Sequence, residues 1–165
     1  MSESDDPARL AYLAEGNARQ ARKRVAADVL IRDRAGRVLL VDPTYKPDWD
    51  LPGGMAEANE APGAAAAREL REELGLTLTP RRVLVLEWVA PHSPWDDSLV
   101  FVFDGGTLTD EQAERLRITD PEIGAYEFVD LDAAATRLRN YVWRRLARAV
   151  QIADGQHGAP LGYSE

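Results

Sequence analysis

The stretch that most limits what this chain can become is Gly54–Leu76, GMAEANEAPGAAAARELREELGL. Its second half is predicted to be a helix. Pro62 is tolerated in a first turn, the run Ala64–Ala67 has the strongest helix propensity, and Gly75 sits where a left-handed C-terminal cap belongs. At about 100° per residue, Ala66, Ala67, Leu70 and Leu74 share one face, which is assigned to the core. Glu69, Glu72 and Glu73 fall at i, i+3 and i+4, so their carboxylates share the flank beside that face. Like charges at this spacing repel by a few tenths of a kcal/mol per pair. A divalent cation reverses the sign, because hard oxygen ligands on adjacent turns suit Mg²⁺. Taken alone, a Glu/Arg run at a helix end is more often a solvated face, with Arg68 and Arg71 as loose ion-pair partners.

The longer pattern overturns that plain reading. Gly54 is followed after five residues by Glu60, and after seven more by Arg68-Glu69-Leu70-Arg71-Glu72-Glu73-Leu74-Gly75-Leu76. At every specified position this resembles the signature of the Nudix hydrolases, G-x5-E-x7-R-E-U-x-E-E-x-G-U, with U a bulky aliphatic residue. On ordinary residue frequencies a chance match has a probability on the order of 10⁻⁸ per starting position. The box covers about a seventh of the chain, and flanking strands extend the resemblance over roughly residues 24–150.

Other features bound the answer from outside the box. The 165 residues suffice for one domain with a real core, expected over 24–153 between an N-terminal helical extension (1–23) and a C-terminal tail (154–165). The absence of cysteine removes disulfides and thiolate metal sites. The acidic start MSESDDPARL is unlike a signal peptide, and no apolar run approaches the ~20 residues of a membrane span. A formal charge of −8 argues against a nucleic-acid partner. A cytoplasmic location is expected, with neither nucleic acid nor membrane as partner and with a homodimer left open.

Along the chain, residues 1–23 begin disordered and continue from Pro7 as a weakly amphipathic helix. It ends in the basic cluster Arg19–Arg24, read as a solvated helix end favoured by the macrodipole. RVAADVLIR (Arg24–Arg32) is a strand by its Val25, Ala27, Val29, Ile31 alternation, joined through the turn Asp33–Gly36 to a hairpin partner over Arg37–Val41. The loop Asp42–Asp50 carries Tyr45 and Lys46, one of only two lysines, as candidates for substrate contact. Trp49 is read as a packing residue, and Gly53-Gly54 as a sharp turn able to approach a ligand. Glu60, near the start of the box helix, serves either as a cap or as an accessory metal ligand. Further strands are expected at Val83–Val89, at Leu99–Phe103 with Gly105-Gly106 as a break, and at Ala125–Val129. A short helix with a Thr109–Gln112 capping box runs to about Arg117. A last helical stretch, capped by Asp132, reaches about Ala153 with a break near Asn140, and packs through Leu138, Val142, Leu146 and Val150.

The family resemblance implies more than the pattern itself. It implies an α+β Nudix fold, a mixed sheet between helices in an αβα sandwich. It implies hydrolysis of a pyrophosphate bond in a nucleoside diphosphate linked to another group, with Mg²⁺ as cofactor and Mn²⁺ as an alternative. Glu72 and Glu73 would be the principal metal ligands, with Glu69 as a third ligand or the general base, and the Gly53 carbonyl would assist. Arg68 would orient the acids while pointing elsewhere on the helix; Gly54, Glu60 and Gly75 are the accessory positions of the box. Members differ in their base, so Glu122 in the loop Thr119–Glu122 is singled out as a distal catalytic acid and metal ligand, with Asp120 and Glu127 as rivals. For the small-molecule substrate a nucleoside triphosphate, deoxy or oxidised forms included, comes first. ADP-ribose or a nucleotide sugar is the alternative, prompted by Pro91. Tyr45, Trp88, Trp95 and Tyr126 are candidates to stack on a base, though most are expected in the core or at the rim; Tyr45 and Trp95 are named with Lys46 as substrate-binding. A nucleotide-sensing module without turnover is the reading from a different class.

Overall fold

A computed structural model describes residues 6–155 and, for the backbone, 162–164. The expected disordered start therefore lies, through residue 5, outside the described residues. At the centre of the sheet is β1 (Arg24–Arg32). It runs parallel to β5 (Ser98–Thr107), from Arg24 opposite Ser98 to Arg32 opposite Thr107. On its other edge it meets β2 (Val38–Pro43) antiparallel only where Arg32 faces Val38. There β3 (Gly53–Met55) takes over, pairing Ala26 with Met55, Ala27 with Gly54 and Asp28 with Gly53. The strand order is β6 (Ile123–Val129), β2, β1, β5, β4 (Val83–Val89) and β7 (Gly162–Ser164), with β3 beside β1.

Side-chain alternation along β1 separates two cores. Ala27, Val29 and Ile31 join Leu39 and Val41 under α2 (Pro62–Leu74). Leu30 points the other way, with Val38, Leu40 and Val102, onto α4 (Leu131–Arg137) and α5 (Asn140–Ala153). The mixed sheet between helical layers is the αβα sandwich expected. The remaining helices are α1 (Pro7–Arg19), which buries no residue, and the one-turn α3 (Asp110–Glu114). None of the helices among the described residues is long and apolar enough to cross a membrane.

Several local expectations are corrected. Gly53 and Gly54 form a strand rather than a turn. Gly105 and Gly106 do not break β5 but carry a bulge in its pairing with β1, between Leu30 and Ile31. A Cβ at Gly105 would lie 2.7 Å from both Val29 and Ile31, and Gly106 has φ of +73°, so glycine there admits the bulge. The buried face of α2 contains Ala65 and not Ala67, because a run of four alanines carries no hydrophobic phase of its own. Asp130, not Asp132, caps α4, accepting from the Ala133 N–H at 2.8 Å. α3 stops at Glu114, short of Arg117, because the following backbone turns to α2: Arg117 N–H donates to Leu74 O (3.0 Å) and Thr119 N–H to Glu73 O (3.1 Å). These bonds satisfy carbonyls that the end of α2 would otherwise leave open.

Candidate active site

The site forms where β3 brings the chain against the C-terminal half of α2. Gly53 has φ of +139°, and a Cβ on it would overlap the Ala27 carbonyl oxygen. A Cβ on Gly54 would lie 2.5 Å from the Glu69 carboxyl carbon. Both glycines therefore allow close approach of the chain to itself, to β1 and to Glu69. Closeness of this kind puts the Gly53 N–H 3.1 Å from Glu73 Oε2, to which it donates.

Glu73 is the buried acid of the three, 8% exposed, against a half-buried Glu69 and an exposed Glu72. Burial pushes the Glu73 carboxyl up to about 8, and the charges of Glu69, Asp28 and Asp120 push the same way. The Gly53 N–H opposes them. Burial also raises Glu69, against the neighbouring Arg68 guanidinium.

Arg68 gathers the other acids. Its Nε and Nη2 donate to the two oxygens of Glu60 at 2.9 and 3.0 Å, a bidentate pair. Nη1 donates to Glu69 Oε1 (3.0 Å) and Glu72 Oε2 (2.9 Å), and Nη2 also reaches the Met55 carbonyl at 3.0 Å. The expectation that Arg68 points elsewhere on the helix is corrected: its planar fork holds three carboxylates. Glu60 does not cap α2, whose N-cap Ala61 makes no side-chain bond. It accepts from the Glu57 N–H at 2.8 Å, and Arg68 holds its carboxyl below the usual range. Gly75 caps the helix as expected, with φ of +63° and its N–H on Arg71 O at 3.0 Å.

A cleft of about 410 Å³ adjoins these acids, with Gly53, Gly54 and Glu73 in its wall. Tyr45, Lys46 and Trp95, expected from sequence to meet substrate, all line it. Lys46 is ion-paired there with Asp50. Two stacking candidates are placed otherwise. Tyr126 donates its hydroxyl to Leu116 O at 3.0 Å and packs on the core, and Trp88 donates its indole N–H to Asp97 Oδ2 at 2.7 Å. In the loop after α3, Glu122 is exposed and its charge acts on Tyr45, whereas Asp120 is the acid that acts on Glu69 and Glu73. Glu127 is paired with Arg137 at 2.5 Å.

The cleft also holds residues that sequence reasoning missed. Asp28 lines it, its carboxyl raised to about 7 by burial and by Asp50 while Arg145 opposes. Arg145, 7% exposed, donates to Glu87 Oε2 at 2.5 Å and stands 3.8 Å from Asp28. Each had a signal. Asp28 is a charge inside the apolar run of β1, and Arg145 directly precedes Leu146 in the apolar stripe of α5.

The donor set around Glu73 fits a hard divalent cation. It consists of oxygen atoms, two of its carboxyls are raised by burial, and no cation stands among the main influences on Glu73. Among the described residues, no three acidic or histidine side chains are already gathered closely enough to hold a metal ion. Arg68 occupies Glu69 and Glu72 instead, so metal binding requires those side chains to turn toward Glu73.

Three acids on one helix, one arginine bonded to two of them and a glycine strand against a mixed sheet define a class of protein. A NUDIX domain matches residues 22–149, and the chain belongs to the Nudix hydrolase family. Among relatives, it is 31% identical over 121 residues to a CMP-5′-(N-acetyl-N-hydroxy-3-aminopropyl)phosphonate hydrolase of Streptomyces rubellomurinus, covering 70% of this chain and 55% of that protein. It is 45% identical over 56 residues to diphosphoinositol polyphosphate phosphohydrolase 2 of Rattus norvegicus, 33% of this chain and 31% of that one. The chain thus spans between about a third and just over half the length of these curated relatives. The fold resembles that of a UDP-X diphosphatase, with a TM-score of 0.72 at 20% identity, over 97% of this chain and 75% of that one.

Proposed function

We propose that this protein hydrolyses the pyrophosphate bond of a nucleoside diphosphate linked to another group, with a divalent metal ion, Mg²⁺ first. The observation that carries the reading is the buried Glu73, on the same helix as Glu69 and Glu72 and bonded to the Gly53 N–H, at the wall of a cleft of about 410 Å³. Glu72 and Glu73 are the principal metal-holding residues, with Glu69 as third ligand or base and the Gly53 carbonyl assisting. When bound, the metal would neutralise phosphate charge and lower the pKa of a coordinated water. The chain's own residues do the rest. Arg68, fixed by Glu60, holds Glu69 and Glu72 on its own side of the helix until they turn toward Glu73 to take the metal. Glu69, half-buried on the same helix as Glu73 and raised by that burial, is the candidate to take a proton from water. Glu122 remains the distal acid and metal ligand proposed, with Asp120, whose charge raises both Glu69 and Glu73, as its rival.

The first substrate to test is a nucleoside triphosphate, ordinary or oxidised; ADP-ribose and nucleotide sugars form the second class. The test is a hydrolysis panel across these compounds and dinucleoside polyphosphates, with and without Mg²⁺, products separated by chromatography. Metal-dependent cleavage between two phosphates supports the proposal. Binding without turnover of any member would favour the sensing module instead.

A further inference from the structure

The basic cluster at the start of β1, which sequence reasoning assigned to a solvated helix end, does something else in the structure. Lys23 is ion-paired with Asp97, and the same Asp97 oxygen accepts the Trp88 indole N–H at 2.7 Å. Arg24 donates through Nη1 to the Asp96 carbonyl at 3.2 Å, and its guanidinium carbon lies 4.7 Å from the centre of the Trp95 ring. Both cations therefore grip one loop, the connection from β4 to β5. That loop is itself closed by mutual backbone bonds of His92 and Trp95 at 2.9 and 2.6 Å. Trp95, His92 and Arg24 line the cleft that Glu73 and Gly53 also line, and Trp95 is 55% exposed.

A large aromatic side chain left half in water, with a cation over its ring, is not packing the core. An indole in this state offers a flat surface for another π-system, and every nucleobase has one.

We propose that Trp95 is the stacking platform for the nucleobase, and that Lys23 and Arg24 are positioning residues that hold its loop at the cleft wall. Resting on the reading of the cleft as a pyrophosphate-cleaving site, this names the residues by which it would recognise the nucleoside of the substrate class already proposed. The cleft takes compounds whose diphosphate carries a planar base, and it recognises the ring face rather than the identity of the base. A phosphoanhydride without a base lacks the partner that Trp95 awaits.

The test measures binding by calorimetry in Mg²⁺, using α,β-methylene-ADP and methylenediphosphonate, which share the bridged phosphorus pair but differ in the nucleoside. Wild type is expected to prefer the nucleoside compound. Trp95→Ala should reduce that preference on the order of tenfold, the low end of a base–aromatic stack. Lys23→Ala should reduce it several-fold, and Lys23→Arg, which keeps the ion pair with Asp97, should restore it. A misfolded variant would lose both ligands together and show a changed circular dichroism spectrum, so the ratio between ligands separates recognition from folding. Equal affinity of wild type for the two compounds, or a ratio unmoved by Trp95→Ala in a folded variant, overturns the proposal. Wild type that binds neither compound, and cleaves nothing in the hydrolysis panel, removes the underlying reading of the cleft as well.

Discussion

Replacing Glu73 by glutamine should stabilise the metal-free protein at alkaline pH while destroying its use of metal. Glutamine keeps an oxygen for the Gly53 N–H and nearly the same shape, so the change removes chiefly the ionisable proton. The folded state lifts this carboxyl from 4.5 to about 8, so between those values it binds a proton that the unfolded chain has released. Stability from this group is therefore fully present below about pH 4.5 and is lost as pH rises through 8. At about 1.4 kcal/mol per unit the full shift would be worth roughly 5 kcal/mol. Local rearrangement and water entry at a site 8% exposed reduce the expected loss to about 2–3 kcal/mol. Asp28, raised to about 7, adds a smaller effect of the same sign that persists in the variant. The assay is urea denaturation in EDTA at pH 5.5 and 8.5, then again with Mg²⁺. The wild type should weaken from the lower to the higher pH and recover with Mg²⁺. Glu73→Gln should vary much less with pH, exceed the metal-free wild type at pH 8.5, and gain little from the ion. Parallel profiles for the two proteins, each indifferent to Mg²⁺, would refute the account of Glu73 as an under-neutralised buried acid.

Other perturbations follow from particular contacts. Arg68→Ala strips Glu60, Glu69, Glu72 and the Met55 carbonyl of a shared donor; thermal melts should show a loss of about 1–3 kcal/mol, together with a severe loss of turnover. Gly54→Ala forces a methyl group onto the Glu69 carboxyl, so turnover should fall while Gly16→Ala, with open space around its Cβ and a gain in helix propensity, leaves it intact. Pro91→Ala should hardly change the hydrolysis panel if that proline only punctuates the loop after β4. A selective loss of ADP-ribose cleavage would promote the second substrate class over the first.

Much of this architecture could be read before any coordinates, for reasons that differ by element. The box helix was legible because its cap, its propensity and its charge spacing all agree, and β1 and β4 because β-branched residues cluster between turn signals. What failed were the places where tertiary contact overrides local chemistry. Glycine ordinarily interrupts a strand, yet Gly53 and Gly105 are required within strands because neighbouring chains come too close for any Cβ. In the site, the acids were legible as a set but not their burial order, which depends on β3 covering Glu73 and leaving Glu72 in water. Asp28, Arg145 and the grip of Lys23 on Asp97 involve partners distant in sequence, and no spacing rule brings such residues together.

The account stands most directly on the exposed acid of the trio. Turnover of the best compound in the hydrolysis panel should be compared between wild type and Glu72→Gln at saturating Mg²⁺. A loss of two or more orders of magnitude, in a folded variant that melts close to the wild-type temperature because only one exposed ion pair with Arg68 is weakened, is the predicted result. Near-normal turnover by Glu72→Gln would contradict it, because the glutamates of α2 would then not be the groups that hold the metal.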